Sequence, residues 1–561
     1  MNAMLADLCW ADHVVLIGYF VIMLGIGVYF WRYMRGLRDY FSGHNQIPWW
    51  LSGVSYYMTS FSAFLFVAYS QIGYEHGFVA VVLGWTVTPA VLIGAILFSS
   101  RWRRARIDSP VEYLEARYGL GLRQLFGWTN VPIRMIDNGL RLYATGLFVS
   151  GAMGIPLYRS IVGCGVITLL YTFAGGLWAA TVTDFIQFVV MMAGAFILVP
   201  LSLARVGGVG GLIQNAPEGF FRPTAEPNFT WFYVAGWFLL LVCNYNTSFG
   251  LVQRYYCVRD EREARKTGLL VAVLLVVGTP IFFAPAMAAR QFLPEADAKN
   301  IYAILCTTLL PGGALGLIIA AMFSATMSSL SGDYNAVAAV LTNDVYRRLF
   351  RRDASERKLV LVGRVTTFVV GLVPLAIAIY IAYVIGNDVL FRKMVKVFSV
   401  ASPPMALPML AGLLWRRATN AGALAGFLGG LGVGVSLFFC GVGEASLAMA
   451  TTAATLTNLV VVSLLTVPAD TERRSAEEFA ARLRVPISAS ESAARGGVPS
   501  PWHAVGVSLV ATAILLLAVT PAMGWGAGAR INAVIGLGLL ITGGLMTARA
   551  QNATRKAETP L

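Results

Sequence analysis

The stretch Ser324-Ala325-Thr326-Met327-Ser328-Ser329-Leu330-Ser331 lies inside an apolar run from about Ala314 to Leu341. A lipid-buried helix has little reason to collect hydroxyls, because each polar group in hydrocarbon must find a partner. Hydroxyl and carbonyl oxygens without a fixed negative charge suit a weakly held, exchangeable monovalent cation, sodium rather than zinc or calcium. Small Ser, Ala and Gly residues equally let two helices approach closely. The rest of the chain has to choose between an ion site and tight packing.

Of the 561 residues, 57% are hydrophobic and 12% charged, with 57 glycines and a mean hydropathy of +0.69. That is an all-α, polytopic integral membrane protein built mainly of spans. Apolar stretches of about 20 residues begin near Val14, Trp49, Phe78, Leu125, Ser160, Asp184, Trp231, Thr267, Ala314, Leu359, Val389, Ala421, Ser446, His503 and Ile531, about fifteen in all. Basic residues follow alternate spans: Arg32 to Arg38, Arg101 to Arg106, Arg254 to Lys266, Arg347 to Lys358, Arg416 and Arg417, Arg473 to Arg484, then Arg555 and Lys556. Lys and Arg in short loops favour the cytoplasmic side. The N-terminus is therefore expected outside and the C-terminus in the cytoplasm, in a plasma (inner) membrane, and the net charge of +14 is a topology signal with no nucleic acid implied.

Met1 to His13 carry Asp7 and Asp12 but no Lys or Arg, unlike the basic start of a cleaved signal peptide, so the first span is expected to be retained. Cys9, Cys164, Cys243, Cys257, Cys306 and Cys440 show no Cys-x-x-Cys spacing, which indicates neither a disulfide framework nor a zinc site. Four histidines, none paired at helical metal spacing, argue against a metalloprotease or a His-ligated redox centre. The polar insert Ala469 to Pro499, with an amphipathic helix expected over Ser475 to Arg484, reads as a cytoplasmic linker or a regulatory docking segment. Gly207 to Gly211 has no strand before it and is a weak nucleotide loop.

Span two starts at Trp49-Trp50 from the cytoplasmic side, so Met58 to Phe61 fall about 15 Å in, near the midplane. Ser52 to Ser62 is rich in Ser, Thr and Gly, and a break there would free carbonyls. The serine string runs the other way, which puts Ser328 and Ser329 at a similar depth, within reach of one shared ion. A second discontinuity is expected at Cys243-Asn244-Tyr245-Asn246-Thr247-Ser248-Phe249-Gly250 in span seven, five spans on, as an inverted repeat of five helices plus five would produce. Asp184 is expected at the cytoplasmic start of span six, level with Ser331, and Asp333 just cytoplasmic of the serines. Arg134, Asp137 and Arg141 share one face of span four, either as a charge ladder neutralised by Asp137 or with Arg141 capturing a substrate carboxylate.

Taken together, Tyr40-Phe41-Ser42-Gly43 with Pro48-Trp49-Trp50, Gly175-Gly176-Leu177-Trp178-Ala179 with Thr183-Asp184-Phe185-Ile186-Gln187, and Gln253-Arg254-Tyr255 with Glu263-Ala264-Arg265-Lys266 resemble the sodium/solute symporter family. The serine string with Thr342-Asn343-Asp344-Val345-Tyr346, and Ser402-Pro403 before Gly412-Leu413-Leu414-Trp415, extend the resemblance over about Val14 to Trp415. The resemblance implies a LeuT-type core of five-plus-five inverted repeats with extra peripheral helices. It implies a principal sodium on the backbone carbonyls of Met58, Phe61 and Ala325 and the hydroxyls of Ser328 and Ser329. A second sodium on Asp184, Ser328 and Ser331 is also implied, although the next serine of that pattern is Gly332 here. Where sugar-transporting members present a Glu-Gln pair, this chain has Phe64 and Leu65, which disfavours a glucose-like polyol because unpaired buried hydroxyls cost about 1 to 3 kcal/mol each.

The expected function is a sodium-coupled symporter importing a small organic solute by alternating access. Arg141 with Arg392, Lys393 and Lys396 tilts the cargo slightly towards an organic acid such as sialic acid or another carboxylate, the alternative being that these cations are lipid-facing snorkelling residues. The pocket is expected between Ser60 to Leu65 and Tyr245 to Thr247, with Asn246 in contact and Tyr245 as gate. Proton coupling through Asp184 or Asp333, and a transporter-like sensor signalling through the polar insert, are the alternatives. An enzyme is not indicated, because the groups form no nucleophile–base constellation. The expected organisation is 1–47 as an N-terminal span and loop, 48–208 and 209–418 as the two repeats, 419–468 as peripheral spans, 469–500 as linker and 501–561 as C-terminal spans and tail, working in the bilayer as a monomer or weak oligomer.

Overall fold

The computed structural model describes residues 9–31, 43–61, 63–107, 110–310, 314–351, 353–385, 390–492, 501–523 and 527–558. Arg32 to Ser42 lie outside the described residues, as do the side chains of Phe64, Lys393 and Asn343 to Val345. The described residues form helices joined by short loops, with no strand among them. In chain order the main helices are α1 (Trp10–Trp31), α2 (Trp49–Ser60), α3 (Ala63–His76), α4 (Val79–Arg104), α5 (Pro110–Tyr118), α6 (Leu120–Met153), α7 (Leu157–Arg205), α8 (Trp231–Thr247) and α9 (Phe249–Tyr256). They continue as α10 (Glu261–Phe292), α11 (Ala314–Val340), α12 (Glu356–Tyr380), α13 (Leu390–Leu414), α14 (Asn420–Phe439), α15 (Glu444–Leu465), α16 (Asp470–Arg484), α17 (Pro501–Val519) and α18 (Ala527–Glu558).

Eleven helices are long and apolar enough to cross a membrane, and thirteen spans result if the bent pairs α2–α3 and α8–α9 each count as one. The expected spans near Leu125 and Ser160 account for the difference from fifteen. The first falls on α6, whose middle carries Arg134, Asp137 and Arg141, and the second on Leu157–Leu170, a short apolar stretch at the start of α7. The span expected from Asp184 begins earlier, at Leu177. Asp184 is consequently well inside a helix and fully buried rather than at a wet helix end.

Both expected breaks are present. Phe61 has extended backbone (φ −94°, ψ 141°) and ends α2, after which α3 leaves at 63°. Ser248 (φ −57°, ψ 125°) ends α8, and α9 leaves at 53°. Thr230 caps α8 by accepting from the Tyr233 N–H, and Asp260 caps α10 by accepting from the Glu263 N–H, so both helices start where short polar side chains can take up orphan donors.

Helix α11 is the centre of the bundle. Every residue in it except Ala336 is buried, and it packs against α1, α2, α6, α7 and α12. A membrane gives helices no hydrophobic drive to associate with one another, so small residues and interhelical hydrogen bonds must hold this contact. Ser324 donates to the Tyr19 hydroxyl of α1 at 2.5 Å, and Thr145 of α6 donates to Thr326 at 2.7 Å. Near the helix start the Gly316 N–H donates to Asp12 Oδ1 at 2.7 Å. A Cβ at Gly316 would stand 2.5 Å from the Asp12 carbonyl oxygen and 2.7 Å from its Cα. Gly316→Ala is therefore expected to force α1 away from α11 and lower stability by about 1–3 kcal/mol, as overpacking does. Thermal melting of the purified protein checks this, and a wild-type melting temperature would show that α1 shifts freely.

Candidate ion and solute sites

Ending α2 at Phe61 leaves the carbonyls of its last turn without helical N–H partners. Helix α11 meets that end with one hydroxyl. Ser329 Oγ stands 2.7 Å from the Phe61 carbonyl oxygen, 3.0 Å from that of Thr59 and 3.1 Å from that of Ala325. A hydroxyl has one proton to donate, so it cannot satisfy three carbonyls at once. The oxygen lone pairs left over make a cluster of hydroxyl and carbonyl oxygens, the donor set that suits a small monovalent cation. Met58 is fully buried beside it, and its carbonyl accepts from the Phe61 N–H at 3.1 Å. Thr59, which the sequence reading passed over, supplies a carbonyl to the same cluster.

Ser328 Oγ is buried with no hydrogen-bond partner, and so is Asp184 Oδ1. The two side chains lie within reach of one another. A hydroxyl and a carboxylate this close in a core can bond each other directly or share a cation or a water. Ser331 is engaged differently, donating to the Ser328 carbonyl at 3.1 Å. The other oxygen of Asp184 accepts from the Ser55 hydroxyl and lies 3.6 Å from Arg254 Nη2. Arg254 is fully buried too, donating to Ser55 at 2.8 Å, Gln253 at 2.8 Å and Thr59 at 3.2 Å. Counting Arg254 among the cytoplasmic loop cations was therefore mistaken. It belongs to α9, which turns back into the bundle after the Ser248 break. A buried carboxylate at Asp184 was the signal that a buried cation had to exist.

A cavity of about 60 Å³ adjoins the first cluster, lined in part by Ser60, Phe61 and Leu65 from the α2–α3 break and by Asn244 and Tyr245 from α8. Arg141 of α6, Trp237, Tyr69 and Thr279 are also among its lining residues. No carboxylate lines this cavity among the described residues. Arg141 pairs with the buried Asp137 at 3.0 Å, and Arg134 approaches the same carboxylate at 3.7 Å, so the charge ladder and the exposure of Arg141 to the cavity coexist. Tyr56 donates to the Tyr245 carbonyl at 2.7 Å, tying the two broken helices together.

Three of the residues expected at the solute, Asn246, Arg392 and Lys396, are not among those lining this cavity. Asn246 faces away from the cavity, donating to the Ala90 and Val242 carbonyls at 3.1 and 2.8 Å, because the helical register that aims Tyr245 inward turns its neighbour onto α4. Asn244 stands at the cavity instead and accepts from Arg134 at 3.2 Å. Arg392 and Lys396 do not line the cavity: Glu444 of α15 takes a two-point pair from Arg392 at 3.1 Å and lies 4.0 Å from Lys396, while Met394 and Phe398 of the same helix reach the solute cavity. Asp333 is buried near Arg134, Arg141 and Arg254, facing the cations of both polar clusters.

The Asp184–Arg254 pair generates a stability prediction. Asp184→Asn leaves a guanidinium buried without its counter-charge and is expected to cost about 3–5 kcal/mol. Adding Arg254→Gln should recover part of that loss, giving a coupling energy above about 0.5 kcal/mol in a double-mutant thermal-melting cycle. Additive losses would mean that the two groups do not interact.

The sodium:solute symporter family model matches residues 40–430. Sodium/myo-inositol cotransporter 2 of Rattus norvegicus is 29% identical over 475 residues, covering 76% of this chain and 69% of its own. The sodium/sialic acid symporter NanT of Aliivibrio fischeri is 28% identical over 438 residues, covering 74% and 85%. A solved substrate-bound, outward-open Na+-coupled sialic acid symporter superposes with a TM-score of 0.75 at 23% identity, covering 82% of this chain and 99% of that one, so the two share the LeuT-type fold. The chain belongs to the sodium:solute symporter family, a family of multi-pass membrane transporters that couple solute movement to sodium.

Proposed function

We propose that this transporter carries a small hydroxylated organic acid together with sodium. The observation that carries the cargo class is the cavity lining: Arg141 is its one basic residue and no described carboxylate lines it. A planar guanidinium matches a carboxylate through two parallel hydrogen bonds. In this reading the principal sodium takes the Met58, Phe61 and Ala325 carbonyls with the Ser328 and Ser329 hydroxyls, and Thr59 adds a carbonyl. Asp184 and Ser328 offer a second, weaker position, to which Ser331 can add its lone pairs while donating its proton to the Ser328 carbonyl. Tyr245 closes the cavity against Ser60. The two repeats are 48–208 and 209–418, and the arginine-rich loops mark the cytoplasmic side, which puts the N-terminus outside and the C-terminus within.

A cavity of about 60 Å³ has room for only a few waters. Binding a sugar-sized acid therefore requires the α2–α3 and α8–α9 elbows to move apart, and release requires movement in the other direction. A second cavity, of about 30 Å³, begins on the far side of Asn244 and Phe398 and is lined by Arg134, Thr247 and Ser402, which supplies an exit route once that partition opens. Inward movement of one positive charge is driven by about 2.3 kcal/mol for each 100 mV of inward-negative potential, in addition to the sodium gradient.

A neutral polyol is the second reading, favoured by the aromatic and amide lining of Trp237, Tyr69 and Asn244 and by the inositol relative. Thermal stabilisation of the purified protein by sialic acid, simple carboxylates, sugars and inositol, with and without sodium, separates the two. An acid should stabilise, more strongly with sodium, and Arg141→Gln should weaken it by at least tenfold, in line with a charge-assisted hydrogen bond of about 1.5–3 kcal/mol. Stabilisation by inositol alone, unaltered by Arg141→Gln, selects the polyol. Ser329→Ala should raise the sodium concentration for half-maximal uptake about tenfold or more. Unchanged sodium dependence in both Ser329→Ala and Ser328→Ala, with uptake following pH instead, would overturn sodium coupling at this site.

A further inference from the structure

At the arginine-rich end of the bundle, far along α13 from the solute cavity, the ends of α4, α13 and α16 and the start of α10 enclose a cavity of about 460 Å³. Arg101, Arg104, Arg117, Arg265, Arg416 and Arg484 line it, and no carboxylate does among the described residues. Three of these cations are engaged. Arg104 is paired with Glu261 at 2.7 Å, and Arg101 donates to the Leu97 carbonyl. Arg117 donates to the carbonyls of Gly412, Trp415, Arg416 and Ala418, closing the end of α13. The side chains of Arg265, Arg416 and Arg484 reach no partner among the described residues.

The neighbouring cavity of about 700 Å³ provides the contrast. It shares Arg117, Arg416 and Arg484 and adds Arg417 and Arg473, but it is also lined by Asp470, Glu472 and Glu477, of which Glu477 pairs with Arg473 at 3.1 Å. The smaller cavity has no described carboxylate in its lining. Its membrane-side lip is apolar, formed by Ile96 and Leu414, which are 58% and 46% exposed, with Leu413 and Trp415 behind. Guanidinium forks above an apolar lip at the end of the spans fit an anion carrying a phosphate ester and a hydrocarbon tail.

We infer that this cavity binds a phosphate-bearing anion, with the headgroup of an anionic phospholipid as the source that its apolar lip favours. Arg484 ends α16, the polar insert's helix, which is anchored by burial of Phe479 against Tyr113 and by donation from Arg104 and Arg106 to the Leu483, Val485 and Pro486 carbonyls. An occupied cavity would therefore clamp the insert to the transporter core.

The test uses the full-length protein in neutral detergent, melted with added dioleoylphosphatidylglycerol, dioleoylphosphatidylcholine or inorganic phosphate. Phosphatidylglycerol should raise the melting temperature and phosphatidylcholine should not. The half-maximal lipid concentration should rise about fivefold for each arginine lost, hence roughly 25-fold in Arg416→Ala/Arg484→Ala. Arg474→Ala/Arg482→Ala, on the same helix but outside the cavity, should behave as wild type, which excludes unspecific attraction. A shift produced by inorganic phosphate and lost in the same Arg416/Arg484 variant would keep the anion site and assign it to a soluble phosphate. If the double variant does not fold, Arg416→Gln alone carries the comparison, with a fivefold change expected. Equal stabilisation by both lipids, an unchanged response in the cavity variant, or no response to either lipid or phosphate would overturn the inference.

Discussion

A helix broken in the middle of a membrane must have its bare carbonyls met by something other than water or lipid. In this protein that demand falls on the contact between the end of α2 and Ser329 of α11. The extended Phe61 allows α3 to leave at a steep angle and opens space for a solute cavity. That geometry is tolerable only because α11 brings a hydroxyl within 3.1 Å of three carbonyl oxygens. The burial of nearly all of α11 follows from the same requirement, since a helix that must touch the broken segment, α1, α6 and α7 has no face left for lipid. Its hydroxyls are accordingly divided. Ser324 and Thr326 join neighbouring helices, Ser331 bonds its own helix and Ser329 meets the broken end of α2, while Ser328 Oγ has no hydrogen-bond partner. In the proposed reading, packing and cation binding, which the sequence poses as alternatives, fall at different positions of one string.

Charge in the core is balanced by design of the helices rather than of the loops. Arg134, Arg141 and Arg254 stand against Asp137, Asp184 and Asp333, with Asp137 at 3.0 Å from Arg141 and 3.7 Å from Arg134, Asp184 at 3.6 Å from Arg254, and Asp333 near all three cations. Buried pairs of this kind add little net stability over apolar packing, yet removing one member is costly. They fix where each helix must sit, because a guanidinium such as Arg254, fully buried, has few positions in which its several donors are met.

Much of this could be read from residue order. The breaks at Ser52–Ser62 and Cys243–Gly250 were visible because polar and small residues interrupt apolar runs, and the serine string stood out for the same reason. What failed were inferences that depend on azimuth. Asn246 and Asn244 are two residues apart, and no local signal says which faces the cavity. Only Gly94 opposite, whose Cβ would collide with Asn246 Oδ1 at 2.2 Å, encodes the answer. Arg254 reads as a loop cation because it opens a basic run at the end of a span, where Lys and Arg favour the cytoplasmic side. The 53° turn at Ser248 reverses that expectation by folding α9 inward. Arg392 and Lys396 read as solute contacts from their charge alone, since Glu444, their partner, lies about fifty residues further on in sequence.

Coupling between ion and solute has a short structural route. Phe61 contributes its carbonyl to the Ser329 cluster and its side chain to the cavity lining, and Ser60 beside it faces both the cavity and Tyr245. In the proposed cycle, a cation drawing the Phe61 carbonyl towards α11 therefore also sets the orientation of the residues that meet the solute. A ligand shifts a conformational equilibrium only by as much as its affinity differs between the two states. Here that difference resides in whether the α2 carbonyls and the α11 hydroxyls converge. When the elbow between α2 and α3 rotates, the ion loses ligands and the cavity loses a wall in the same movement, so neither site can be in its binding geometry while the other is dismantled. This shared residue, rather than any long-range path, is what makes joint movement of the two cargoes the expected behaviour of the fold.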